Sequence, residues 1–213
     1  MGLEGAIKKK FDAWTLGLNR EESLIRIFEK VRDIPFAVDN ELFDLEKGPV
    51  RMLERNKGFC VPKHYLLGMM FHELGVPVKY CTYAFNWGEQ RIDYPERLKE
   101  LARRIPATYH LACRAFLGGK WVFIDATWDP PLKKAAFDVN ENWDGRSDMA
   151  NAVKPLDEFV HEDASEREKA FGEKLKNYTL SEKLELSRFS IELNRWLEEV
   201  RSQAPGRRPG GQA

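Results

Sequence analysis

The sequence predicts an α+β domain, with a helix opening at Cys60 packed on an antiparallel sheet and extra helices on the C-terminal side. Three observations carry this expectation. From Val61 onward the apolar residues Leu66, Leu67, Met70, Phe71 and Leu74 recur at helical spacing. "ATYHLACRAF" and "KWVFIDATW" flank Gly118-Gly119 as two strands around a tight turn. Beyond residue 164, two runs open with capping-box pairs, and the second carries an amphipathic pattern.

The elements follow in order. The first 18 residues carry no clear pattern. "NREESLIRIFEKVRDIPF" then puts Leu24, Ile27, Phe28 and Val31 on one helical stripe, and Pro35 stops it. "GPVRMLERNKG" predicts a short helix opened by Pro49 and closed before Gly58. In the Cys60 helix, Pro62 falls in the first turn, where its missing N–H is tolerated. Gly75 stands where a helix end favours glycine. Strands are expected near residues 76–85, 107–117 and 120–127. Between the first two, Pro95 to Arg104 predicts a charged helix. The connection from Asn86 to Pro106 is long for a link between neighbouring strands and is expected to cover part of the site. A helix packed on the sheet edge is the alternative. After Pro131, "FDVNENWDGRSDMANAVKPLDEF" reads as an irregular, wrapping segment. Helices are then expected from Ser165, paired with Glu168, and from Thr179, paired with Glu182. The second carries Leu186, Phe189, Leu193, Trp196, Leu197 and Val200 on one face.

With 213 residues and 43% hydrophobic side chains, the chain is long and apolar enough for one full core. One domain is expected over residues 1–202. Its core spans about residues 20–131, the wrapping segment and helices span 132–202, and a disordered tail covers 203–213. The formal net charge is zero, which argues against bulk attraction to nucleic acid or to an anionic membrane. Three cysteines with no CxxC pair suit a reducing cytoplasmic setting better than a disulfide framework. "MGLEGAIKKKFDAW" has no apolar core of a secretory signal, and Ala6 stands where a myristoylation motif wants Ser or Thr. No apolar run approaches a membrane span.

The hairpin places side chains. A two-residue turn at Gly118-Gly119 sets Ala112 opposite Asp125. His110 and Asp125 then share a face as diagonal neighbours, about 7–8 Å apart or less at Cβ, within reach of a hydrogen bond. A thiol at a helix N-terminus meets unpaired N–H groups and the positive end of the macrodipole, which favour thiolate. If the Cys60 helix packs on the face that carries His110, the three form a set of nucleophile, base and orienting carboxylate. Each residue alone has an ordinary reading: a buried thiol, a structural histidine, a turn-capping carboxylate. Their combination in this order favours chemistry.

These residues resemble the transglutaminase-like superfamily, a branch of the papain-like cysteine enzymes. "KGFC", an amphipathic helix and "LGVPVKY" are similar to its Gly-x-Cys, helix, Gly-Ile-Pro-Ala-Arg pattern. "YHLACRAFLGGKWVFIDATWDP" resembles its histidine strand, glycine turn, tryptophan strand and Asp-x-Thr. "FEKVRDIPFAVD" resembles the helix upstream. The likeness covers about residues 20–131. It implies a papain/transglutaminase-like core with Cys60 as nucleophile, His110 as base and Asp125 as third member. It implies acyl transfer through a thioester, on a carboxamide or peptide carbonyl, of transglutaminase, deamidase or peptidase type. The family's tryptophan and acidic residue after the histidine are here Ala112 and Arg114, which alters the substrate-side wall. A non-catalytic scaffold module of the same fold is the competing reading.

Further candidates are Asn56 as an oxyanion donor and Trp87 and Trp143 as groove-lining residues. The expected partner is a protein or peptide substrate, with no cofactor, metal, nucleic acid or membrane. Cys81 and Cys113 read as buried and inert. His64 and His72 share a helix face without further ligands nearby in sequence, which disfavours a zinc site.

Overall fold

The computed structural model describes residues 5–203, so the expected tail lies almost wholly outside the described residues. Four strands make one antiparallel sheet in the order β3-β2-β1-β4. They are β1 (Val78–Phe85), β2 (Thr108–Leu117), β3 (Lys120–Ile124) and β4 (Asp157–His161). The β2–β3 register pairs Leu117 with Lys120 and Cys113 with Ile124, as a two-residue turn requires. Gly118 and Gly119 take φ values of 56° and 84°, the left-handed geometry that glycine enters without steric cost.

The α-helices of the described residues are α1 (Gly5–Thr15), α2 (Arg20–Arg32), α3 (Lys47–Arg55), α4 (Cys60–Glu73), α5 (Glu96–Arg104), α6 (Ala164–Lys176) and α7 (Leu180–Ser202), of which α4 and α6 pack most on the strands. The central one is α4. It is buried over most of its length, packs on α2, α3 and β2, and ends before Gly75 at φ 70°. Apolar residues all round a helix are the signature of such a position. The stripe of α2 (Leu24, Ile27, Phe28, Val31) is buried as its spacing requires, and Asn19 with Glu22 forms a capping box. The face of α7 from Phe189 to Val200 is buried, and Thr179 with Glu182 caps the helix.

Four features differ from the sequence reading. Residues 5–15 form α1 although their pattern is sparse; Ile7 is buried, and Phe11 and Trp14 pack partly buried against the core. β4 begins inside the segment read as irregular and runs two residues past its end. Its order comes from β1, through pairs from Tyr80–His161 to Ala84–Asp157, and not from any alternation of its own. α6 begins at Ala164, because the Asp163 carboxylate accepts from the Glu166 N–H two residues before the Ser165 pair. Glu168 is instead spent on the N–H of Leu45.

The fourth difference concerns how α4 lies on the hairpin. The Cys113 thiol donates to the His64 carbonyl at 3.6 Å, so the body of α4 rests on the face that bears Cys113. His110 has the opposite parity along β2. The set therefore does not form under the helix body. It forms at the helix N-terminus, beyond the last β2–β3 pair, where Asp125 has just left β3. No helix of the described residues is long and apolar enough to cross a membrane.

Candidate active site

Gly58 sets where α4 begins. Its N–H donates to the Pro35 carbonyl at 3.0 Å, and its carbonyl accepts from the Ala37 N–H at 2.9 Å. A Cβ here would stand 2.5 Å from the Met52 sulfur, so any larger residue would push the Met52 side chain aside. Phe59 follows as the N-cap and supplies no side-chain hydrogen bond. Cys60 is thus the first residue of a fourteen-residue helix whose N-terminus no side chain caps, and Pro62 removes one of the donors that would need a partner.

His110 and Asp125 meet directly. The His110 Nε2 to Asp125 Oδ2 distance is 2.8 Å. Cys60 lies close enough to the His110 ring to help raise its pKa, while Nε2 is taken by Asp125. Asp125 is held from three further sides. Its Oδ1 accepts from the Thr127 N–H at 3.1 Å, its Oδ2 accepts from the Ala152 N–H at 2.8 Å, and the Asn140 amide donates to its carbonyl at 3.0 Å. Burial opposes charge on the His110 ring, but the Asp125 charge and hydrogen bond, with the Cys60 contact, outweigh it and raise the pKa. Burial likewise opposes charge on Asp125. There the His110 charge and hydrogen bond prevail and hold the carboxylate well below its ordinary range.

Two buried polar residues on α4 support the set, and sequence reasoning missed both roles. His64 accepts from the Ala126 N–H at Nε2 (3.0 Å), so its Nδ1 carries the proton and donates to the Cys60 carbonyl at 2.8 Å. This neutral ring ties the Cys60 backbone to the chain just after Asp125. Its ring centre lies 6.1 Å from that of His110. Lys63 is fully buried and donates to the carbonyls of Arg32 (2.9 Å), Thr127 (2.8 Å) and Ala126 (3.4 Å). Burial lowers its pKa to about 7, against the pull of Asp129. The spacing Cys60–His64, four residues apart on one helix, was the available signal for the first. Nothing local marks the second, because its partners come from distant segments.

Burial lowers the His64 pKa from 6.5 to about 4, despite Asp125 nearby. The unfolded chain takes up this proton near pH 6.5, and the folded protein only near 4. The stability contribution is therefore complete above 6.5 and is lost as pH falls from 6.5 to about 4, a change of about 3 kcal/mol. Urea unfolding at stepped pH should show this acid limb, and His64→Gln should flatten it. An unchanged slope in the variant would remove His64 as its source.

The other candidates separate. Trp87 is buried and borders the cavity that holds Cys60 and His110. Asn56 does not: it is exposed, at φ 50°, as the left-handed C-cap of α3. Its position after Arg55 is a helix end, and Asn tolerates that geometry best after glycine. Trp143 is not a groove residue either. It packs on Phe28 and Phe71, with ring centres 5.6 and 6.1 Å away, and its indole N–H donates to the Ser147 carbonyl. Cys81 and Cys113 are free and buried, and burial pushes both thiols up, Cys81 to about 11. Among the described residues no group of three or more His, Cys, Asp or Glu side chains is placed to hold a metal ion.

A cavity of about 600 Å³ opens beside Cys60 and His110. The connection from Asn86 to Pro106 was expected to cover it, but that segment supplies only Trp87. Its helix α5 packs on α7 instead. The outer wall comes from α6 and α7, through residues such as Phe171, Leu175, Leu186 and Phe189. The chain after residue 131 thus completes the site as well as the core.

No family model matches this chain. No curated protein matches it. Among solved structures it is similar to "a Putative Cysteine Protease from Cytophaga hutchinsonii", at 16% identity and a TM-score of 0.43. The match covers 75% of this chain and 43% of that one, so this chain spans less than half of that protein's length.

Proposed function

We propose that the protein is a cysteine-dependent acyl-transfer enzyme with a transglutaminase-like core. The observation that supports this best is the join of Cys60, His110 and Asp125: a 2.8 Å histidine–carboxylate bond with Cys60 beside the ring, at an uncapped helix N-terminus. Cys60 Sγ attacks a carboxamide or peptide carbonyl carbon while His110 takes the thiol proton. The tetrahedral oxyanion points at the Cys60 backbone N–H, in the positive field of α4. The C–N bond then breaks, the amine leaves with the proton from His110, and a thioester remains on Cys60. Water or a second amine next attacks the thioester, with His110 as base, and frees the thiol. Asp125 keeps the ring oriented and stabilises its charge throughout.

Alkylation with iodoacetamide at pH 6, mapped by mass spectrometry, tests this. Cys60 should react more than about tenfold faster than a free thiol, and His110→Ala should remove the excess. Reaction at the free-thiol rate would favour a scaffold that merely keeps the three side chains.

A further inference from the structure

Three features of the cavity beside Cys60 and His110 point to its occupant. Its walls are aromatic and aliphatic, with Phe36, Phe85 and Trp128 on the core side and Leu175 and Phe189 on the side of α6 and α7. Its volume, about 600 Å³, is in the range of sites that enclose a small molecule. Two threonines of this lining, Thr127 and Thr108, have buried hydroxyls without a hydrogen-bond partner in the protein, and Thr127 is only 1% exposed. Such a hydroxyl is costly unless water or a ligand satisfies it. Gly172 is the third feature. It stands inside α6, where glycine weakens a helix, and it lines the cavity. A Cβ built on it meets nothing within 4 Å, so its missing side chain keeps space open and relieves no clash.

We propose that this cavity binds the acyl part of a bulky, aryl-bearing acyl donor, with the Thr127 hydroxyl bonded to a polar group beside the reacting carbonyl. The inference rests on the acyl-transfer reading of Cys60. A glutaminyl side chain brings two methylenes and a carboxamide and leaves most of such a cavity unfilled. An arylalkanoyl group fills it and buries its apolar surface against the aromatic walls.

Two measurements keep the pocket and the chemistry apart. In the Cys60→Ala protein, titration calorimetry with 4-phenylbutanamide and with acetamide reads the pocket alone. The aryl amide should bind at least about tenfold tighter. Thr127→Val in that background should weaken it by about tenfold with Tm unchanged, since the lost hydroxyl has no partner in the protein. Gly172→Leu should abolish binding while the circular dichroism spectrum is kept. With Cys60 present, p-nitrophenyl 4-phenylbutanoate and p-nitrophenyl acetate are compared. The sulfur adds to the carbonyl as its proton passes to His110, the C–O bond breaks, p-nitrophenolate leaves with the electron pair, and the thioester forms. The kcat/KM ratio should favour the aryl ester by more than about tenfold. Equal affinity for the two amides, or unaltered binding in Gly172→Leu, would overturn the pocket assignment even with a full burst from Cys60. Aryl-amide binding with no burst from either ester would overturn the reading of Cys60 and support the pocket assignment.

Discussion

Cys60→Ala is expected to lower acyl transfer by at least about 10⁴-fold, with unfolding transitions close to those of the parent chain. Nothing else near His110 can form the thioester: Cys113 lies against α4 on the opposite face of β2, and Cys81 is a buried thiol in the middle of β1. The loss from His110→Ala should be nearly as large, because His64 cannot replace it as base. His64 is neutral and has both nitrogens committed, one to the Cys60 carbonyl and one to the Ala126 N–H. Asp125→Asn should cost less, between about 10² and 10⁴-fold, since Asp125 orients the ring and does not react. Asn is the informative substitution. It keeps one acceptor oxygen, whereas alanine would strip the partners from both the Thr127 and Ala152 N–H groups and confuse folding with catalysis. Single-turnover rates with an activated ester measure all three. Full activity in Cys60→Ala would falsify the mechanism.

The second large effect is on stability. Arg201→Ala should destabilise the fold by about 3–5 kcal/mol and lower Tm by about 10 °C or more. Arg201, near the end of α7, grips Asp129 with two hydrogen bonds of 2.8 Å, through Nε and one terminal nitrogen. The same terminal nitrogen donates to the Phe36 carbonyl at 2.8 Å, while the Asp129 carboxylate accepts from the Phe36 N–H at 2.8 Å. Asp129 is 2% exposed, so removing Arg201 leaves a carboxylate buried without its main cation. Arg201→Lys should recover only part of the loss, because an ammonium does not reproduce the fork. This clamp also closes the cavity wall, for Phe36 and Trp128 pack with ring centres 4.5 Å apart and both line it. Thermal melts and kcat/KM on the same variants should therefore fall together. A melt within about 1 °C of the parent would show that the pair contributes little.

Much of the sheet was legible because it depends on short-range signals. The glycine pair names its turn, the turn sets the register, and the register puts His110 and Asp125 on one side of the hairpin. The stripe of α2 and the face of α7 follow from spacing in the same way. What escaped has a common cause. β4 is five residues at a sheet edge, ordered by the backbone of β1, and so it carries no pattern of its own. Asn56 stands four residues before Cys60, near enough in sequence to invite a catalytic role. Its left-handed backbone turns it into solvent at the end of α3. Trp143 falls in a segment without periodicity, and its contacts with Phe28 and Phe71 come from helices far away in the chain.

Chain order alone was enough to place a thiol at a helix start and an imidazole and carboxylate across a hairpin. Those are local relations, governed by helix caps, strand alternation and turn geometry within a few residues. Packing settled the rest. It decided that the set forms at the tip of α4 and not beneath its body, because the face bearing Cys113 takes the helix. It also recruited Lys63 and His64 to carbonyl and amide partners on other segments. Finally it brought α6 and α7 over the cavity, while α5 packs on α7. Such choices turn on which buried surfaces fit together. No residue's immediate neighbours in sequence carry that information.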